Sequence, residues 1–110
     1  MGSESTAADL RLTQFELENG ATGFGVKVTL EAPVGTVVVD AQPVDAGRSR
    51  TFPIDVRDAR TVLIRVAADA HGHESRQQIE CSGRPWQTGL LTLRARFFPG
   101  SIHGTFTAGF

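Results

Sequence analysis

Apolar and polar residues alternate along most of this chain with a period of two, the signature of half-buried strands. Phe24, Val26, Val28 and Leu30 alternate with Gly25, Lys27, Thr29 and Glu31 in the cleanest such run. Phe52, Ile54 and Val56 repeat the pattern, as do Val62, Ile64 and Val66. Leu91, Leu93, Ala95 and Phe97 form a further inward set opposite Thr92, Arg94 and Arg96, and Ile102, Gly104, Phe106 and Ala108 form the last. The valine-rich stretch Gly35 to Ala41 reads as a strand, and the polar stretch Glu74 to Cys81 reads as an edge strand. Near the start, Leu10 and Leu12 share one phase while Phe15 and Leu17 share the other. A β-bulge at Thr13 and Gln14 reconciles them.

Turn residues punctuate these runs at Asn19-Gly20, Ala32 to Gly35, Asp45 to Gly47, Arg57 to Ala59, Ser82 to Pro85 and Pro99-Gly100. No stretch shows apolar residues at helical spacing. The pattern predicts about eight short strands and no helix, hence an all-β antiparallel sandwich, jelly-roll or Ig-like. Residues 1–9 are polar and small and read as a flexible tail, leaving residues 10–110 as a single domain.

Composition narrows the function classes. At 110 residues there is room for one core. The net charge of −1 argues against a nucleic-acid binder, which normally carries a basic surplus. Lys27 is the only lysine among 11 basic side chains, so arginine dominates the outward positions. Arg65, Arg94 and Arg96 there suit either an anionic-ligand patch or cross-strand ion pairs, with ion pairs the default. Cys81 stands alone, which excludes an internal disulfide scaffold. No apolar run approaches the length of a membrane span. With no signal-like N-terminus, a cytoplasmic location is expected, secretion after signal removal being the alternative.

Few residues remain for chemistry. His71 and His73 lie two apart, so an extended backbone presents both imidazoles to one side. With His103 they would make a three-histidine site for a divalent transition metal. His71, His73 and the later run Phe98-Pro99-Gly100-Ser101-Ile102-His103-Gly104 resemble the two metal-binding motifs of the cupin family. That resemblance implies a jelly roll holding a metal on these histidines, with Glu80 the nearest carboxylate. The spacing departs from the family pattern: Glu80 lies further from His73, and the Pro-Gly turn is one residue shorter.

Arg84-Pro85-Trp86 is the second candidate ligand site. The only tryptophan, in a Gly/Pro-rich loop, offers a flat face to a sugar ring or a protein partner. Phe98, Phe106 and Phe110 crowd the C-terminal end and form the candidate interface for a protein partner or self-association. Because Phe97 and Phe98 are adjacent in a strand, they are expected on opposite faces. No nucleophile elbow or phosphate loop is present. The leading expectation is therefore a non-catalytic binding module without a cofactor, for a protein, a second copy or a glycan. The alternative is a small cupin-like metal protein.

Overall fold

A computed structural model describes residues 10–57, 60–68, 74–80 and 89–108. Within them lie eight strands: β1 (Leu10–Asn19), β2 (Val26–Glu31), β3 (Val37–Val44), β4 (Ser49–Arg57), β5 (Thr61–Ala68), β6 (Glu74–Glu80), β7 (Gly89–Phe98) and β8 (Ser101–Ala108). They form two four-stranded sheets, ordered β4-β1-β7-β8 and β3-β2-β5-β6. The expected β-sandwich is the fold. Two details differ from the expectation. The central β1–β7 pair is parallel, the other five pairs being antiparallel. Strand β3 starts at Val37 and runs through Pro43, because Gly35, at φ 100°, belongs to the preceding turn.

The alternating positions build the core. Val26, Val28, Leu30, Val62, Ile64 and Val66 from one sheet meet Leu12, Phe15, Leu17, Leu91, Leu93 and Phe97 from the other. The Phe15 and Phe52 rings stack between β1 and β4, with centroids 5.9 Å apart. Removing the Phe15 ring would cost about 3–5 kcal/mol, the usual range for a buried phenylalanine cut to alanine.

The bulge in β1 lies where the change of phase requires it. The registers of β1 against both β4 and β7 shift between Leu12 and Gln14. Leu12, Phe15 and Leu17 consequently all face inward, each fully buried. The Thr13 hydroxyl donates to the Leu91 carbonyl of β7 at 3.2 Å, supplying a donor where the ladder is interrupted. A second irregularity interrupts β3. Ala41 takes a left-handed φ of 47°, and the Thr29 hydroxyl accepts its N–H at 3.1 Å. The sharpest turn, between β7 and β8, places Pro99 and then Gly100, at φ 88°, in its centre; glycine is the residue that reaches that conformation without strain.

Asn19 ends β1 fully buried and joins several segments. Its side-chain amide donates to the carbonyls of Phe24 (3.1 Å) and Val44 (3.2 Å), and its Oδ1 accepts the Ala21 N–H (2.9 Å). Its backbone N–H donates to the Arg48 carbonyl at 2.8 Å. The turn predicted at Asn19-Gly20 is thus also a polar tie between the two sheets.

Two outcomes follow from this packing. Deleting Thr13 would leave Leu10, Leu12, Phe15 and Leu17 in strict alternation on one face, so the deletion variant is expected to keep a cooperative urea transition, and Thr13→Ala, which loses only the hydroxyl bond to Leu91, is expected to lose about 1 kcal/mol. Asn19→Leu strips an amide and two carbonyls of buried partners and is expected to lower unfolding free energy by roughly 2–4 kcal/mol in the same assay.

Candidate functional site

The outward faces are covered by arginine–carboxylate pairs. On the face carrying β1 and β7, Arg94 meets Glu16 at 3.5 Å and Arg96 meets Glu18 at 3.0 Å. Nearby, Arg11 makes a two-pronged pair with Asp55, at 2.6 and 2.9 Å. On the other face Arg65 bridges Glu31 and Glu74, both at 3.0 Å, and Arg76 meets Glu74 at 2.9 Å. The Arg65, Arg94 and Arg96 guanidiniums therefore lie against carboxylates of neighbouring strands, the cross-strand arrangement expected by default.

These contacts shift the acids downward. The Gly35 N–H and then the Arg65 guanidinium hold the Glu31 carboxyl below its ordinary value of 4.5. Bonds from Arg76 and then Arg65 do the same for Glu74, and Arg11 does it for Asp55. Each shift has a surface ion pair or turn amide as its cause, with no buried cleft involved.

The two flanks of the sandwich differ. On one, the edge strands β3 and β4 carry Pro43 and Pro53, and register shifts interrupt their pairing with β2 and β1. Prolines and bulges are the usual devices that keep an edge from pairing with another chain. On the other flank, β6 and β8 pair with β5 and β7 in unbroken register and contain no proline. A groove of about 640 Å³ runs between these two edges, lined by Glu74–Glu80 and Gly100–Gly104. The Ile79 side chain crosses it to lie on Gly104, where any Cβ would collide with it. Ile79 and Phe106 are half-buried and pack against the core from this side.

The residues singled out in sequence separate in space. His103 projects, exposed, from the outer face of β8 beside Arg96. Phe98 is 40% exposed on the same outer face, while its neighbour Phe97 is buried, as alternation predicts. The Phe98 ring lies over Gly20, with the Arg96 guanidinium 5.9 Å from its centroid. A shallow hollow of about 520 Å³ there is lined by Glu16, Glu18, Arg94, Arg96, Phe98 and His103. Phe106 instead faces inward, so Phe98 and Phe106 do not form one patch. His71, His73, Cys81, Arg84, Trp86 and Phe110 lie outside the described residues. Among the described residues no group of three or more His, Cys, Asp or Glu is placed to hold a metal. Nor is any helix among them long and apolar enough to cross a membrane. The exposed β6/β8 flank was legible only in part, through the polar edge strand expected at Glu74 to Cys81.

No protein-family model matches the sequence, and no curated protein matches it. Solved structures do match the fold. The chain is similar to the T6SS lipoprotein TssJ1 from Pseudomonas aeruginosa, with a TM-score of 0.61 and 12% identity over 91% of this chain and 98% of that one. It also resembles a protein from Eubacterium rectale, with a TM-score of 0.48 and 15% identity over 88% and 89% of the two chains. At this identity the likeness to TssJ1 establishes a shared β-sandwich and nothing finer.

The depressed carboxylates give a pH test. Their added stability is fully present above the ordinary glutamate value of 4.5 and is lost as pH falls through their lower folded values. Thermal unfolding temperature is therefore expected to fall steadily below pH 4.5. The Glu31→Gln/Glu74→Gln variant is expected to start lower at neutral pH and to decline less steeply in acid.

Proposed function

We propose that this chain is a non-catalytic β-sandwich that acts as a protein-interaction module through the flank formed by β6 and β8. One observation carries the reading. Arginine–carboxylate pairs occupy both outer faces, and most apolar positions among the described residues face the core. Among the described residues the edges of β6 and β8 are regular and free of proline, and such an edge's main-chain donors and acceptors are what an added strand recognises. The perturbed acids support it too, since their causes are structural ion pairs and a turn amide, not a cleft suited to acid–base work.

The fold shared with a T6SS lipoprotein supports an interaction role by analogy. By the same analogy we favour a lipoprotein's location over the cytoplasmic one expected from the sequence.

Site-specific photo-cross-linking in the cells that make the protein tests this reading. A benzophenone amino acid at Thr105 of β8 is expected to yield a discrete protein adduct, and the same probe at Thr51 of β4 little or none. The absence of any adduct from Thr105 and from Gln78 of β6, or equal labelling from both flanks, would overturn it.

A further inference from the structure

We infer that β8 pairs with β8 of a second copy, antiparallel across a two-fold axis, joining two four-stranded sheets into one. The inference rests on reading the β6/β8 flank as the recognition surface and names its occupant.

The four edge strands point to β8 in particular. Strand β3 carries Asp40, Pro43 and the left-handed Ala41. Strand β4 carries Arg50, Pro53, Asp55 and Arg57. Strand β6 carries Glu74, Arg76 and Glu80. Strand β8, Ser-Ile-His-Gly-Thr-Phe-Thr-Ala, has no Asp, Glu, Lys, Arg or Pro, and its pairing with β7 contains no bulge. Among the described residues it alone of the four carries no acidic or cationic side chain, proline or bulge, the devices within a strand that discourage pairing.

Charge selects the occupant. A two-fold interface is built from the same patch twice, residue i meeting j and j meeting i, so the register decides which charges face one another across it. On β6 the register centred on Gln77 would set Glu74 against Glu80 of the partner subunit. On β8 no such repulsion arises. Its outward residues Ser101, His103, Thr105 and Thr107 are small or β-branched apart from the imidazole, and suit a pleated surface.

Main-chain geometry fits as well. The two-residue turn closes on Phe98 opposite Ser101. Counting from that hydrogen-bonded pair, Ile102, Gly104 and Phe106 direct their N–H and C=O groups toward the open edge. A two-fold axis at Gly104 pairs this whole set, with Ile102 opposite Phe106 of the partner subunit and His103 opposite Thr105 of the partner subunit. Phe106, half-buried in one copy, then gains an apolar neighbour on its inward side.

Sedimentation velocity of the full chain, from micromolar to sub-millimolar concentration, tests the inference. The expected result is a dimer whose share rises with concentration. Thr105→Lys/Thr107→Lys, at two exposed positions, is expected to abolish the dimer while leaving the circular dichroism spectrum and a cooperative thermal transition in place. Thr51→Lys on the other flank is expected to leave the dimer intact. Hydrogen exchange gives an independent reading should the double variant misfold: the Gly104 amide is expected to gain protection as concentration rises. A monomer at every concentration, a folded lysine variant that still dimerises, or concentration-independent exchange at Gly104 overturns the inference. If the wild type is monomeric while Thr105 cross-links to a different protein, this inference fails and the interaction-module reading stands. If Thr105 and Gln78 yield no adduct, both fail.

Discussion

The fold depends on the break in alternation at Thr13 of β1. That strand is central in its sheet, with β4 on one side and β7 on the other, so its facing decides the facing of the whole layer. A strand of strict period two would bury either Leu12 or the pair Phe15 and Leu17. The bulge at Thr13 buries all three. Both neighbouring strands shift register at this point, in opposite senses: from Leu12 to Gln14 β1 advances two residues while β7 advances one and β4 three. The cost of the break is offset locally, because the Thr13 hydroxyl reaches the Leu91 carbonyl.

The second sheet repeats the device with less at stake. Thr29 accepts the N–H of Ala41 where β3 leaves its register, at an exposed edge instead of the centre. Asn19 then ties the sheets together. It satisfies the end of β1, the loop to β2 and the end of β3 with one buried side chain, and no buried side-chain polar atom among the described residues lacks a partner. A core built this way leaves little free side-chain chemistry inside the sandwich.

The recognition proposed for this chain is carried by main chain. The arginine-rich faces, which composition alone left open as an anion site, close on Glu16, Glu18, Glu31, Asp55 and Glu74. Exposed pairs of this kind add little stability each, yet they neutralise the faces and set them apart from the uncharged β8 edge. The asymmetry between the blunted β3/β4 flank and the regular β6/β8 flank is the feature that gives the molecule a direction.

By itself the sequence determined the strands, their inward faces, the bulge at Thr13 and the polar edge at Glu74 to Glu80. Each is a local consequence of period-two geometry and of turn residues such as Pro99-Gly100. Opposite facing of Phe97 and Phe98 follows from the same rule. Tertiary structure decided whatever depends on partners distant in the chain. Leu12 and Leu91 are neighbours in a parallel pair though 79 positions apart, and alternation carries no information about which strand lies beside which or in what direction. Asn19 reads locally as a turn residue; only the arrival of Phe24 and Val44 at its amide makes it a buried junction. Phe98 and Phe106 cluster in sequence but fall on opposite faces of one sheet, because side chains an even number of positions apart share a face only when no turn intervenes. The open edge of β8 is likewise a property of sheet order, since a strand has an edge only once its neighbours are known.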